Sequence, residues 1–162
     1  MRQESAVVVQ SDNTRIAAAE HAAVKSVARV RRRLFLASDP GLTVQPTASV
    51  TRSVHFVETH IDQPITLDDM AAAAGFSKFH FSREFKARTG MAPGAFLRGY
   101  RVVRAMDHLR NSTERIGAVA AAAGYRSAAA FSRAFRKVTG STPHLFRMTH
   151  HLRADKLDRD SA

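Results

Sequence analysis

The chain has 162 residues, and its 25 lysines and arginines outnumber its 14 aspartates and glutamates to give a formal net charge of +11. A surplus of this size favours a polyanionic partner, because cationic side chains neutralise phosphates and release their counterions. The alternative is a basic protein without such a partner. The absence of cysteine excludes disulfides, thiolate zinc sites and thiol nucleophiles.

Neither a membrane span nor a leader segment is predicted. No apolar run reaches the roughly 18–20 residues that a spanning helix needs. The first residues, MRQESAVVVQSDN, lack the continuous apolar segment of a signal peptide. These observations predict a cytoplasmic protein with no membrane partner.

Residues 1–49 are predicted to form an N-terminal extension of three parts. Residues 1–13 are mixed and polar and are predicted to be disordered, and residues 38–49 hold two prolines and a glycine, which is typical of a linker. Residues 14–37 are predicted to form a basic amphipathic helix. Its apolar stripe consists of Ile16, Ala19, Ala23, Val27, Val30 and Leu34. Packing on the rest of the chain, pairing of two chains and disorder are three open alternatives for this stripe.

Residues 50–148 are predicted to form the main domain, which is helical throughout. After a helix near 50–61, Thr66-Leu-Asp-Asp69 resembles a capping box that begins a helix over 67–74. Gly75 suits the left-handed residue that ends such a helix. A second helix is predicted at about 78–89 and a long helix at about 94–110. No strand-period segment occurs after residue 50, so the predicted class is all-α, and residues 149–162 are predicted to be a charged tail.

The chain then repeats the helix pair. LDDMAAAAGFSKFHFSREFKARTGMAP (67–93) aligns with IGAVAAAAGYRSAAAFSRAFRKVTGSTP (116–143) at an offset of 49 as far as the glycine and of 50 after it. Two helices joined by a short glycine-containing turn are typical of a helix-turn-helix, whose second helix enters the DNA major groove. The alternative is a solenoid of α-hairpins, for which two copies are too few. We therefore predict two homeodomain-like lobes, at about 67–90 and about 116–140.

The second helix of each copy has one face suited to a core and one suited to DNA. The predicted core residues, each pair four residues apart, are Phe81, Phe85, Phe131 and Phe135. The opposite faces carry Phe79, Ser82, Arg83 and Lys86 in the first copy and Ala129, Ser132, Arg133 and Arg136 in the second. Arginine reads guanine, and phenylalanine or alanine contacts a thymine methyl group. For Arg83 and Arg133, the alternative is a salt bridge to a local carboxylate.

The helix between the copies sets their separation. Its length is roughly 24 Å at ~1.5 Å per residue, so two recognition helices can lie about one DNA turn, ~34 Å, apart. A monomer is then sufficient for DNA binding. Arg98, Arg101 and Arg104 recur at three-residue steps and are predicted to flank the DNA backbone. The hydroxyls that follow, in Asn111-Ser-Thr, are predicted to cap the next helix.

At these motifs the chain resembles the AraC/XylS family of bacterial transcription regulators over about residues 50–148. The resemblance rests on the double unit with its one-residue difference, the FSR-x-F…TG-x-x-P pattern of both copies, and the linking helix YRVVRAMDHL. It implies two helix-turn-helix lobes that bind promoter DNA sequence-specifically, with RNA polymerase as a partner for an activator. It also implies a place at the bacterial nucleoid. No cofactor and no small-molecule effector are predicted.

The base-reading positions of the family map onto the start of each second helix. The residues at these positions are Lys78, Phe79, Ser82 and Arg83 in the first lobe and Ser127, Ala128, Ala129, Ser132 and Arg133 in the second. Contacts with the DNA backbone are predicted for Ser77, Lys86, Arg98, Arg126, Arg136 and Lys137. Because alanines lead the second helix, we expect the first helix to supply more sequence discrimination and the second more general affinity.

Three other interpretations are weighed against this one. Many family members carry a far longer N-terminal sensor domain, so a DNA-binding-only repressor or competitor derived from a longer regulator is one alternative. A non-specific nucleoid or RNA-binding protein is disfavoured by the asymmetric readout faces and the few exposed aromatics. An enzyme is not predicted, since the chain has no phosphate-binding glycine loop, nucleophile elbow or HExxH motif. No metal site is predicted for His144, His150 and His151, which have no cysteine beside them.

Overall fold

The computed structural model describes the backbone of residues 2–36 and 46–160 and the side-chain surroundings of residues 14–32, 34 and 48–151. This part of the chain contains eight helices and no strand, which confirms the all-α prediction. The helices are α1 (Arg2–Leu36), α2 (Pro46–Thr59), α3 (Leu67–Ala74), α4 (Lys78–Thr89), α5 (Pro93–Asn111), α6 (Ile116–Ala122), α7 (Ala128–Thr139) and α8 (Pro143–Asp160).

Local capping signals define the first helix pair. The Thr66 hydroxyl accepts a hydrogen bond from the backbone N–H of Asp69, whose carboxylate accepts one from the backbone N–H of Thr66, so the predicted capping box is present. The Thr66 hydroxyl also donates a hydrogen bond to the Asp69 carboxylate, at 2.7 Å, and this bond, together with the one from the Thr66 backbone N–H, lowers the pKa of Asp69. Gly75 adopts the predicted left-handed conformation with φ 74° and ends α3.

The structure differs from the sequence-based predictions at four places along the chain. The disordered start predicted for residues 1–13 is corrected, because α1 begins at Arg2 and no proline or glycine interrupts residues 2–13. The charged tail predicted for 149–162 is helical as far as Asp160, because α8 begins at Pro143, where a missing N–H costs nothing, and Thr142 caps it. The predicted hydroxyl cap of α6 is wrong, since its N-cap is Arg115. In the predicted linker 38–49, residues 38–45 lie outside the described residues and 46–49 belong to α2.

Two apolar clusters form the cores of two lobes. The first surrounds Phe81, Phe85 and Phe96 and the second surrounds Phe131, Phe135 and Phe146, all with no exposed surface. The four phenylalanines predicted to be core are therefore confirmed. Helix α5 contributes to both clusters, with Phe96 and Leu97 in the first and Val102, Met106 and Leu109 in the second. The two sequence copies thus fold as two lobes that share one helix.

Helix α1 packs across both lobes. Its stripe residues Val27, Val30 and Leu34 join the first cluster, and Ile16 and Ala23 join the second. The stripe therefore packs within the chain, which is one of the three alternatives that its periodicity left open. Helix α1 is continuous and buries apolar surface of both clusters. Because burial of apolar surface is favourable, α1 stabilises the two lobes together.

Charged side chains fix α1 at both ends of this contact. Glu20 forms an ion pair with Arg110 of α5 and a hydrogen bond with His150 of α8, where the His150 Nε2–Glu20 Oε2 distance is 3.2 Å. Towards the first lobe, the Nε atom of Arg31 lies 3.1 Å from Glu58 of α2. Arg110 and Glu20 are both more than two-thirds buried, so their ion pair is screened less by salt than a fully exposed one.

Two other features of the described residues bear on function. No helix among them is both long enough and apolar enough to cross a bilayer. In the same part of the chain, no three histidine, aspartate or glutamate side chains come together in an arrangement that suits a metal ion.

Candidate DNA interface

Helices α4 and α7 have nearly the same pattern of burial. Each begins after a serine, Ser77 or Ser127, whose side chain accepts a hydrogen bond from the backbone N–H three residues on, and each ends at a left-handed glycine. Within each helix, the final threonine and two phenylalanines four residues apart are buried, which are Phe81 and Phe85 in α4 and Phe131 and Phe135 in α7. The arginine between these phenylalanines, Arg83 or Arg133, is exposed. The repeat in sequence is thus a repeat in the side chains that are turned to solvent.

On α4 the exposed face combines an aromatic ring with cationic groups. The side chain of Phe79 is 83% exposed, although burial of a phenylalanine contributes about 1.5–3 kcal/mol. Arg83 and Lys86 are exposed on the following turns, and the half-buried Ser82 donates a hydrogen bond to the carbonyl of Lys78. An exposed ring beside two cations has the composition expected of a face that contacts bases and phosphates.

Lys78 is not a free cation in this structure. Its ammonium lies 3.0 Å from a carboxylate oxygen of Asp68, which belongs to the first turn of α3. Both side chains are about half exposed or more, so the pair is weak and a phosphate can displace the carboxylate. Asp68 is a residue at this face that the sequence did not assign to it.

On α7 the exposed face is more cationic and less varied. Ala128 and Ala129 begin the helix with exposed methyl groups, and Arg133, Arg136 and Lys137 are exposed further along. Ser132 is half-buried at the position of Ser82, and Arg126 is exposed in the turn before the helix. Helix α7 contains no acidic residue, so its charge is uncompensated within the helix.

The two equivalent arginines have no acidic partner. Within the side chains that the structure describes, neither Arg83 nor Arg133 takes part in an ion pair, and the nearby Glu84 pairs with Arg88 instead. The alternative of a local salt bridge for these two arginines is therefore not realised. Both guanidinium groups are available to bind an anionic or guanine partner.

Helix α5 separates the lobes, and its three arginines occupy different surroundings. The helix has 19 residues, or about 28 Å at ~1.5 Å per residue. Arg104 is exposed, whereas Arg98 is half-buried and borders, with Lys137, a cavity of about 270 Å³ between α1, α5 and α7. The prediction that Arg101 flanks the DNA backbone is wrong, because its guanidinium points into the junction between the lobes and binds backbone carbonyls there.

The predicted contact residues are thus arranged in two groups and one outlier. The first group lies at α4 and comprises Ser77, Lys78, Phe79, Ser82, Arg83 and Lys86. The second lies at α7 and comprises Arg126, Ser127, Ala128, Ala129, Ser132, Arg133, Arg136 and Lys137. Arg98 belongs to neither group, since it lies on α5 next to α1. Contacts of all these residues with DNA stay predictions.

Comparison with known sequences places the repeat region among transcription regulators. A family model described as a helix-turn-helix domain matches residues 70–149. The chain is 41% identical over 92 residues to the right origin-binding protein of Escherichia coli K12, a match that covers 57% of this chain and 32% of that protein. It is 34% identical over 94 residues to the regulatory protein SoxS of Salmonella typhimurium LT2, covering 58% of this chain and 88% of SoxS. The chain therefore spans about a third of the first relative and most of the second.

A solved structure extends the similarity to three dimensions. The DNA-binding domain of AdpA, described as a global transcriptional factor and solved in complex with a target DNA, superposes with a TM-score of 0.62 at 30% identity. The superposition covers 65% of this chain and 95% of that domain. About two-thirds of this chain is thus similar in fold to a domain that has been solved on DNA.

Proposed function

The chain belongs to the AraC/XylS family of transcription regulators, and we propose that it binds double-stranded promoter DNA by inserting α4 and α7 into adjacent segments of the major groove. The observation that carries this proposal is the pair of equivalent exposed helix faces, each with an unpaired arginine, held on the two ends of one 19-residue helix. Major-groove edges present a distinct pattern for each base pair, so two such helices can select a sequence.

The exposed faces of α4 and α7 suit different kinds of contact with DNA. The exposed ring of Phe79, with Lys78 and Arg83 beside it, offers α4 several kinds of contact to base edges. Helix α7 offers methyl groups and three cations without a carboxylate, which suits phosphates more than bases. The same comparison supports more discrimination by the first lobe and more general affinity by the second.

The proposal extends to where and with what the protein acts. A basic double-stranded DNA-binding protein of this family belongs at the bacterial nucleoid in the cytoplasm, and one chain with two recognition helices binds without a second copy. RNA polymerase as a partner rests on the family resemblance alone. Since the stripe of α1 packs within the chain, a dimer through residues 14–37 requires that helix to leave the lobes.

Selection of bound sequences from a randomised duplex pool tests the proposal. At about 150 mM salt, where non-specific binding is weak, we expect an asymmetric motif of two preferred blocks about one turn apart. A palindrome of such motifs would show that two chains bind together. Enrichment of no sequence would leave a general nucleic-acid binder and contradict the proposal.

Neutralising Asp68 is expected to strengthen DNA binding. In Asp68→Asn, Lys78 loses its carboxylate partner and the α4 face loses a negative charge, so affinity for the selected duplex should rise about two- to tenfold. If the freed Lys78 neutralises one more phosphate, the slope of log affinity against log salt concentration should steepen by about one. Fluorescence anisotropy titrations at several salt concentrations measure both quantities.

The matched control makes the same charge change away from α4. In Asp107→Asn the lost carboxylate belongs to α5 and pairs with Arg110, at 2.8 Å. We expect a smaller rise in affinity from this variant. Equal rises, or a loss of affinity with Asp68→Asn, would count against a DNA contact for Lys78.

A further inference from the structure

The two lobes touch directly at a junction that uses backbone atoms of both. The turn between α6 and α7 contains Gly124, which is buried and has φ 73°. A Cβ atom at this position would lie 2.7 Å from the carbonyl oxygens of Ile61 and Gln63, which belong to the loop between α2 and α3. The second lobe therefore approaches the first so closely that only a glycine fits between them without movement.

Arg101 of α5 connects both sides of this junction. Its Nη2 atom donates hydrogen bonds to the carbonyl oxygens of Gln63 and Ile65, both at 3.2 Å. Its guanidinium also lies over the ring of Tyr125, 5.5 Å from the centroid, one residue beyond Gly124. One side chain thus contacts the loop of the first lobe and the turn of the second.

Burial strengthens the contacts of Arg101. Desolvation lowers the pKa of its guanidinium, and desolvation likewise raises the pKa of the Tyr125 hydroxyl. A cation over a desolvated ring is attracted more strongly than one at an exposed site. A guanidinium carries several donors, and here one of its nitrogens donates to two carbonyls of one loop while the group lies over an aromatic ring.

Together with α1, the junction connects the lobes beyond the linking helix. Helix α1 is fixed to the second lobe through Glu20 and to the first through Arg31, as described above. Two lobes joined by α5 alone would follow the bending and twisting of one helix. Lobes that are also joined by α1 and by Arg101 have a fixed separation and rotation.

We propose that Arg101 is a positioning residue that fixes the spacing between the two DNA blocks which the protein accepts. This inference rests on the proposed function, since it concerns how two recognition helices share one duplex. Inserting one base pair between the blocks moves the second by ~3.4 Å and rotates it by roughly 34°. A rigid pair of lobes cannot follow both changes, whereas a loosened pair can.

A spacing series on the selected duplex tests the proposal. The wild-type protein should lose about 100-fold in affinity when one base pair is inserted or removed, because only one lobe then engages its block. In Arg101→Met the side chain fills the same space without donors or charge. The affinity of this variant should fall less than about tenfold when one base pair is inserted or removed. Arg101→Lys keeps a donor for the two carbonyls and should restore most of the wild-type loss.

Arg104→Met is the matched control. Arg104 lies three residues further on the same helix, is exposed and carries the same charge. Its removal should lower affinity at every spacing and leave unchanged the ratio of the affinity for the selected duplex to that for a duplex of altered spacing. If a change of spacing lowers affinity by the same factor in the wild type and in Arg101→Met, Arg101 does not have the positioning role. A wild-type protein that tolerates every spacing would also overturn it, while leaving DNA binding intact.

A measurement without DNA separates this inference from the proposed function. Because the chain has no cysteine, spin labels can be attached at Ala72→Cys and Ala121→Cys, which are equivalent exposed positions of the two lobes. We expect one narrow distribution of the distance between the two labels when no other residue is changed, and the same when Arg104→Met is added. Adding Arg101→Met should make the distribution broad. A narrow distribution in Arg101→Met would contradict the inference whatever the DNA experiments show. A failure to select any sequence would contradict the proposed function alone.

Discussion

Replacing Arg83 by alanine is expected to lower affinity for the selected duplex by roughly 10- to 100-fold and to relax sequence preference at one base pair. The magnitude follows from the loss of one bidentate contact with guanine, worth about 1–3 kcal/mol of discrimination. Arg83 is exposed and has no acidic partner among the described side chains, so its removal leaves no buried charge behind. The lower affinity of Arg83→Ala should therefore come from a lost contact with DNA and not from a less stable protein.

Arg133→Ala is the matched variant, because Arg133 has the same exposure at the equivalent position of α7. We expect it to lower affinity to a similar extent on every duplex, with less change in sequence preference. The alanines that begin α7 offer few hydrogen bonds for base readout, so Arg133 acts mainly through charge. Titrations against duplexes that differ from the selected motif at single base pairs measure both effects. Equal loss of preference in the two variants would contradict the division of work between the lobes.

The second large effect concerns stability at the lobe junction. Gly124→Ala is expected to lower the free energy of unfolding by about 2–5 kcal/mol, because two costs add. An L-residue with positive φ costs about 1–2 kcal/mol, and a Cβ atom 2.7 Å from two carbonyl oxygens forces backbone atoms apart at about 1–3 kcal/mol. Urea unfolding followed by circular dichroism gives the value.

Two other glycines provide controls with the same backbone strain. Gly75 has φ 74° and Gly140 has φ 73°, yet a Cβ atom at Gly75 would meet only Arg52, at 4.0 Å, and one at Gly140 would meet nothing within 4 Å. Gly75→Ala and Gly140→Ala should therefore cost only about 1–2 kcal/mol each. If all three substitutions destabilise equally, the close approach of the lobes at Gly124 does not exist in solution.

Much of the fold follows from local signals that the sequence displays directly. The capping box at Thr66, the terminating glycines and the spacing of the phenylalanines predict α3, α4 and the core faces of α4 and α7. These signals act over three or four residues, within one helix or its ends. Predictions that depended on them are confirmed, including the all-α class.

Where contacts are distant in sequence, the patterns did not predict them. Gly75 and Gly124 are equivalent in the repeat, but only the second faces a neighbouring carbonyl, and that neighbour is some sixty residues away. Arg98, Arg101 and Arg104 are spaced three residues apart on α5, so their periodicity predicts the same contact with the DNA backbone for all three. The apolar stripe of α1 predicted a covered face without identifying what covers it, because a stripe of this kind suits any apolar partner.

The sequence predicts which residues lie at the candidate interface better than it predicts which of their charges are paired. The exposed positions of α4 and α7 follow from the opposition of core and surface faces in a helix. The pairing of Lys78 with Asp68 joins two helices across a turn, and no periodicity indicates it. The sequence predicts that Ser77 and Ser127 contact DNA, and the structure shows both as helix caps, so a contact with DNA would add to that role.

Methylation interference on the selected duplex tests the central claim, that two helices of one chain enter two adjacent major-groove segments. Methylation of guanine N7 blocks the major-groove edge that an arginine reads, and the added methyl group also obstructs a helix that enters the groove without reading that base. We predict two clusters of interfering guanines centred about 10–10.5 base pairs apart on one face of the duplex, with Arg83→Ala removing interference from one cluster only. A single cluster, or interference confined to the minor groove, would contradict the account.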